Sequence, residues 1–290
     1  MSKDGENLKM RSKKLLPGSG LTMLNHLFLL IYVALSIYPI IWMMFYSFKN
    51  NEEIFVTNPF GFPRVFRIEN YIRAWTEYDI VTYFRNSLVV GFGTVLLTII
   101  AALMFAYATA RFDWKLADFT RIFVISGLFI PVQIVLVPLL ILIRDLKLGN
   151  SLFSLIIPYA AFQLPMATMI FHSFLRGIPF ELEEAANIDG AGTFRTFVEI
   201  IVPIVKPAIA TVSIFVFLSS WNEFTMALIL ISEDRLKTLP LGLLNFQGAF
   251  NTDWGAMGAA LMISSLPTIL FYLFFSNQVE KAMGVSGAVK

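Results

Sequence analysis

SLVVGFGTVLLTIIAALMFAYATA, from Ser87 to Ala110, carries no charged side chain. It is longer than the roughly 20 residues a helix needs to cross the hydrocarbon of a bilayer. Four more uncharged runs of spanning length accompany it: Leu15 to Phe48, Ile122 to Ile143, Leu148 to Leu175 and Trp254 to Val279. A sixth, Pro207 to Ser232, is interrupted only by Glu223. The 290-residue chain is 57% hydrophobic and only 14% charged, with a mean hydropathy of +0.71, so its main solvent is lipid. Backbone amides in lipid must be satisfied within their own segment or in a closed barrel, and the alternating strands of about ten residues that a barrel needs are absent. The sequence therefore predicts an all-α integral membrane protein. Its six transmembrane helices are expected at about 21–47, 86–110, 122–143, 151–175, 207–232 and 255–279, between tails at 1–20 and 281–290. The first run is too long for the apolar core of a secretory signal and ends at no convincing cleavage site, so the first helix is expected to remain.

Basic residues set the orientation. Lys3, Lys9, Arg11, Lys13 and Lys14 crowd the first tail, and Arg111, Lys115 and Arg121 follow the second helix, which places these segments in the cytoplasm by the positive-inside rule. The loops near Arg144 and Lys147 and near Arg235 and Lys237 fall outside, as does the mixed-charge segment from Lys49 to Arg85. Both termini and the connector at 176–206 then face the cytoplasm. Pro59, Gly61 and Pro63 punctuate the outward segment, which has room for short helices, and Tyr71, Trp75, Tyr78, Tyr83 and Phe84 suit an interfacial belt. Ala102, Ala106 and Ala110, and likewise Ala256, Ala260 and Ser264, form small-residue stripes that imply close neighbours in this chain or another.

Several chemistries find no footing. The net charge is +2, with basic residues at membrane boundaries rather than in one stripe, so nucleic acid is not an expected partner. There is no cysteine, and His26 and His172 belong to different helices, so no disulfide or metal centre is expected. No Gly-Lys dipeptide occurs, so the phosphate-cradling loop of an ATPase is missing and the chain is not expected to be an enzyme. If ATP drives it, another subunit hydrolyses the ATP.

The connector at 176–206 is too polar to span and too patterned for slack linker. Pro179 can open a helix and Gly190 can end it. Glu181, Glu183 and Glu184 are favourable near the positive end of that helix, and Leu182, Ala185 and Ala186 are spaced to share one side. Thr193 is placed to cap a second helix running to Ile201, near Pro203 and Pro207. An amphipathic loop lying on the membrane surface is one reading. The spacing favours a sharper one. Glu184-Ala185-Ala186, three residues, Gly190, nine residues and then Ile200-Ile201-Val202-Pro203 resemble the EAA loop of ABC importer permeases, with Val202 replacing the usual Leu. The resemblance implies that Glu184, Ala185, Ala186, Asp189, Gly190, Ile200 and Pro203 contact an ATPase subunit. Closure of two such subunits around ATP would switch the spans to an outward-facing packing.

Other segments extend this resemblance over nearly the whole chain: Glu69-Asn70-Tyr71, Asn86-Ser87-Leu88, Ala106 to Phe112, Trp221-Asn222-Glu223-Phe224, and the closing Gly284 to Lys290. Together they are similar to the carbohydrate-uptake branch, the maltose-permease MalG type. That family implies the six-helix type I importer fold and a homologous permease as heterodimer partner. It also implies two ATPase subunits that bind ATP and Mg, and an extracytoplasmic solute-binding protein that delivers sugar; no cofactor is implied in this chain. The loop from Glu233 to Asp253 would enter the binding protein, with Asn245, Phe246, Gln247 and Gly248 as candidates. The C-terminal tail would reach the ATPase dimer through Gly284, Gly287 and Lys290.

Glu223 is the only charged residue inside a predicted span, where burial near mid-bilayer costs about 3 kcal/mol unless water or a partner meets it. With Trp221 and Asn222 it has the means to grip a sugar in the substrate path, by stacking and by hydrogen bonding. The competing reading is a structural hydrogen bond to a partner permease or a gate. Gln133, Gln163 and Asn86 are further path candidates. Two alternatives stand beside the sugar importer: a permease for another solute such as a peptide or polyamine, and an ion-coupled secondary transporter that works without an ATPase.

Overall fold

The computed structural model describes residues 19–248 and 252–285, and every regular element among them is helical. In chain order these are α1 (Ser19–Tyr46), α2 (Glu69–Thr76), α3 (Ile80–Arg111), α4 (Ala117–Ser126), α5 (Val132–Asp145), α6 (Phe153–Arg176), α7 (Glu181–Ile188), α8 (Thr193–Thr196), α9 (Val202–Ile204), α10 (Lys206–Trp221), α11 (Thr225–Leu230), α12 (Leu239–Gly242) and α13 (Trp254–Val285). Four of them, α1, α3, α6 and α13, are long and apolar enough to cross a membrane singly. Two bent pairs, 117–145 at 106° and 193–221 at 73°, raise that number to six.

The breaks have local causes. The run expected as one rod at 122–143 is two helices, because the 127–129 turn leads into Pro131, which lacks an N–H and forces Ile130 into an extended conformation. A Cβ on Gly127 would lie 2.9 Å from Cγ of Pro165, so only glycine lets this turn press onto α6. The segment expected to run unbroken to 232 stops at Trp221 and resumes as the short α11. In the other direction, α3 starts at Ile80 rather than 86, launched from Asp79 in the left-handed region with φ 50°.

α3 is the centre of the packing. Along one half, Ala102, Ala106 and Tyr107 form a buried cluster with Ala167, Phe171 and Leu175 of α6 and with Ala208, Val212 and Val216 of α10. Toward its start, Ile80 and Tyr83 join Trp221, Leu239, Phe246, Ala256 and Ala260. Each small-residue stripe is thus filled at its buried positions by this chain's own helices. α1 behaves differently. Every residue from Met23 to Ile41 is exposed, so that helix meets lipid or another chain along that length.

The 47–79 segment packs on the start of α13 at the same end of the bundle. Asn51 Nδ2 donates to the Thr252 carbonyl (2.8 Å), and Arg73 pairs with Asp253 (2.8 Å). Lys49 is 1% exposed, and its ammonium donates to the carbonyls of Asn58 and Gly61, each at 2.7 Å. Burial pulls its pKa below the usual lysine value. Nearby, buried Glu53 accepts from the Arg64 amide (2.7 Å) and from Asn58 Nδ2 (3.1 Å). The expected aromatic belt is largely absorbed: Tyr83 is buried, Tyr78 stacks on Phe246, Tyr71 shares a hydrogen bond with Ser47, and Trp75 stays exposed. Replacing Lys49 by Met strips the donor from the Asn58 and Gly61 carbonyls and removes the ammonium that attracts Glu53, at a cost of about 1–3 kcal/mol. Trypsin should then cut Lys49→Met faster than wild type at Arg64 and Arg67, with helical content unchanged; equal cleavage rates would contradict this account.

Candidate functional site

The 177–205 connector lies at the opposite end of the bundle, and it is ordered by what it buries. In α7, Glu183 and Ala186 face the chain, whereas Leu182, Glu184, Ala185 and Ile188 are exposed, Ile188 at 86%. Arg111 Nε stands 2.7 Å from Oε1 of Glu183, a Coulombic contact whose angle is poor for a hydrogen bond. Tyr107 donates its hydroxyl to the other carboxylate oxygen at 2.8 Å. Arg111 also donates to the Ile178 carbonyl (2.9 Å), and its guanidinium lies 4.8 Å over the Phe180 ring. Both charged side chains are nearly buried, which makes the pair mutually obligatory.

Gly190 ends α7 at φ 81°, with its own amide bonded to Asn187 and the Ala191 amide to Ala186. Nothing lies within 4 Å of an added Cβ, so this position demands glycine for its backbone rather than for space. The second arm departs from expectation. Gly192 occupies the cap position of α8 and Thr193 the first turn, so no hydroxyl cap forms. Fully buried Ile201 and Val205 anchor this arm, while Ile200 is half-buried and Pro203 exposed. Ala186 is corrected from docking face to internal contact, because its side of α7 packs on the bundle. The exposed face is Leu182, Glu184, Ala185, Ile188 and Asp189, joined across the turn by Phe194 at 76% exposure.

Where α10 stops, Glu223 takes over the start of α11. Its carboxylate accepts the Met226 amide (2.8 Å) and the Ala227 amide (3.2 Å), and the Tyr159 hydroxyl donates to it at 2.5 Å. This is a helix cap tied to α6. Trp221 is 1% exposed and donates to the Ser264 carbonyl (3.1 Å), so its ring is not free to stack on a sugar. Asn222 is exposed. One helical turn before it, exposed Ser219 accepts from Gln163 at 2.7 Å, and Phe215 lies on the same stripe at 41% exposure. Spacing of four and three residues along α10 would have revealed Phe215 and Ser219 in the sequence. Asn86 is corrected: it is 2% exposed and donates to the Arg235 and Lys237 carbonyls (2.8 and 3.0 Å), holding a loop rather than lining a path.

That loop is braced from inside. Tyr83 donates to Asp234 (2.8 Å), Asn245 donates to Tyr83 (2.6 Å) and to Asp234 (2.7 Å), and Lys237 reaches both Asp234 (2.7 Å) and Asn245 (2.5 Å). The Lys237 ammonium beside it, aided by Asn245 and Tyr83, holds the Asp234 carboxyl at about 2. Phe246 is 1% exposed and stacked 4.0 Å from Tyr78, so it is core and Asn245 is a strut. Of the four residues expected to meet a binding protein, Gln247 and Gly248 are exposed. Gly284 belongs to α13, which remains helical through Val285 although a tail was expected from 281. Gly287 and Lys290 lie outside the described residues, as does the tail at 1–18.

Residues 95–285 match the family model described as "Binding-protein-dependent transport system inner membrane component". The chain is 36% identical over 263 residues to the "Probable ABC transporter permease protein YurM" of Bacillus subtilis, covering 91% of this chain and 87% of that one. It is 32% identical over 261 residues to the "Trehalose/maltose transport system permease protein MalG" of Thermococcus litoralis, covering 88% and 92%. Its fold is similar to a chain in the crystal structure of a bacterial ABC transporter involved in the import of the acidic polysaccharide alginate. That superposition has a TM-score of 0.79 at 21% identity and covers 89% of this chain and 95% of that one.

The capping geometry at Glu223 makes a graded prediction. Glu223→Ala removes the acceptor for two amides and for Tyr159, and should lower the thermal midpoint of the solubilised protein by an amount equivalent to about 1–2 kcal/mol. Glu223→Gln keeps an amide acceptor and should lose clearly less. Equal midpoints for wild type and Glu223→Ala would rule out the cap.

Proposed function

The chain belongs to the family of binding-protein-dependent transport system inner membrane components, and from that premise we propose that it conducts sugar for an ATP-driven importer whose ATPase grips α7. It is a multi-pass membrane protein and a transport subunit, not the hydrolytic one. In the proposed assembly a homologous permease completes the path. Two ATPase subunits carry ATP and Mg, and an extracytoplasmic binding protein delivers the solute. The connector and both termini face the cytoplasm, in keeping with the basic residues of the first tail and of the 111–121 segment.

The observation that carries this reading is the two-sidedness of α7. One side is fastened to the bundle by a buried ion pair, and the other presents Leu182, Ala185 and Ile188 beside Glu184 to the outside. A loop that only floated on lipid headgroups would need no buried charge to hold its orientation. An apolar face with an acidic rim, held in a fixed pose, suits a cleft in another protein. Gly190 allows the turn between the two arms, and Asp189, Ile200 and Pro203 are proposed to meet the ATPase as well. The tail residues Gly284, Gly287 and Lys290 are proposed to reach the same ATPase pair.

Sugar as the solute is supported by the trehalose/maltose relative and by the alginate importer that shares the fold. Within the chain, Ser219, Asn222 and Gln163 offer hydroxyl and amide groups beside Phe215, the mixture that meets sugar hydroxyls and C–H faces. Glu223 then shapes the wall of the path without touching the solute. Gln247 and Gly248, both exposed, are the residues of the 231–253 loop proposed to meet the binding protein.

The test is assembly. Glu184→Lys and Gly190→Trp variants should insert into the membrane as wild type does, yet retain the ATPase poorly on co-purification. Sugar uptake should fall by about ten-fold or more, the equivalent of 1.4 kcal/mol of lost contact. Full ATPase retention and normal uptake in a membrane-inserted Gly190→Trp variant would overturn the docking role.

A further inference from the structure

α3 has an unusual pair of ends. At its last turns, Tyr107 and Arg111 hold Glu183 of α7, and the Tyr107 ring also lies 4.8 Å from Phe197 in the second arm, so both arms of the connector bear on the same helix end. At its first turns, Tyr83 and Asn86 hold the 234–237 loop, and the buried Ser87 hydroxyl accepts the Leu239 amide at 2.7 Å. The two joints are separated by most of a 32-residue helix, about 48 Å long at 1.5 Å per residue.

The helix between them is built to stay straight. Of the four helices long enough to span alone, α1 carries Pro39 inside, α6 carries Pro158 and Pro165, and α13 carries Pro267, whereas α3 has no internal proline. Its interior glycines, Gly91 and Gly93, are filled by neighbours: an added Cβ would lie 2.9 Å from Phe217 on α10 and 2.9 Å from Ile156 on α6. They are sites of close packing, and the kinks that free glycines permit are blocked there.

We propose that α3 is a rod that carries displacement of the ATPase-docking connector to the 233–246 loop at the other face, with Arg111 and Tyr107 as the positioning residues that clamp its inner end to Glu183. This rests on the reading of α7 as the ATPase seat. Because the inner joint is a buried ion pair reinforced by a hydroxyl, the connector cannot slide along α3 without exposing or stranding a charge, so the two move together. Packed interfaces shift as bodies between discrete arrangements, and a straight helix joined at both ends links two such interfaces.

The experiment uses the complete complex with its binding protein, reconstituted in nanodiscs, and exploits the absence of cysteine from the chain. Tyr107→Phe, which leaves the Arg111–Glu183 pair in place, and, at the far end, Asn86→Ala should leave ATPase co-purification and binding-protein-independent hydrolysis intact. Stimulation of hydrolysis by sugar-loaded binding protein should fall about ten-fold, within the usual span of coupling between sites. An Arg111→Cys/Glu183→Cys pair should lose stimulation when reduced and regain it when bridged by a short bis-methanethiosulfonate, which forms a disulfide with each thiol and releases methanesulfinate, since a bridge restores a joint that moves as one body. Spin labels at Val81 and Met104, both exposed on α3, should keep one separation with and without ATP. Full stimulation in Tyr107→Phe and Asn86→Ala, a bridged pair no better than its reduced form, or two label separations would each overturn the rod. The first and third readings stand even if the double-cysteine protein fails to assemble. A wild-type complex that holds no ATPase would instead remove the docking reading and the rod with it, whereas an assembled complex with unaffected variants removes the rod alone.

Discussion

Arg111 and Glu183 meet 2.7 Å apart with 4% and 10% of their side chains exposed, at the point where the end of α3 touches the connector. A buried charge is tolerated only when its partner stays in place, so this contact fixes the rotation of α7 about its own axis. Everything outside follows from that rotation. With Glu183 and Ala186 turned inward, Leu182, Glu184, Ala185 and Ile188 must point away, and the chain acquires a surface whose chemistry suits another protein better than water. The Tyr107 hydroxyl removes the remaining freedom by occupying the second carboxylate oxygen.

The membrane part obeys a second constraint, that every break in a helix at bilayer depth needs a replacement hydrogen-bond partner. Glu223 meets it at the start of α11 by accepting two amides, and Tyr159 ties that carboxylate to α6. Pro131 meets it differently, by having no amide to satisfy. The Pro131 break bends the 117–145 segment by 106°, and the Glu223 break ends α10 at Trp221. The α10 break sets Asn222 on an exposed corner, one turn beyond Ser219. A charged residue in a span thus does its work on the backbone, and the polar surface beside it is left to Ser219, Asn222 and Gln163.

Much of this was legible in the chain. Uncharged runs located α1, α3, α6 and α13, because hydrocarbon length and the cost of a buried charge leave few other readings. The turn at Gly190 could be read from the residue itself, since a left-handed helix end selects glycine. The spacing from Glu184 to Pro203 marked the connector, and a resemblance suggested the partner proposed for it. Three things were hidden. Composition does not say whether an apolar run is bent, and Pro131 lay inside a run that reads smoothly as one span. An arginine after such a run, Arg111, looks like a topology signal, and nothing local to it announces a partner 72 positions away on another helix. Phe246 and Asn245 sat in a polar loop that invited a reading as a docking tip, whereas the fold uses them as a plug and a strut. In each case long-range packing decided the role, and the sequence holds that packing only implicitly.

The central claim is that the exposed face of α7 is covered by a nucleotide-hydrolysing subunit in the working assembly. Ile188, at 86% exposure, is the residue to ask. A photo-crosslinking amino acid placed there in the reconstituted, sugar-transporting complex should capture the ATPase subunit in high yield, with the yield changing between ATP-bound and ATP-free states. Capture of lipid alone, in a complex that still transports, would contradict it.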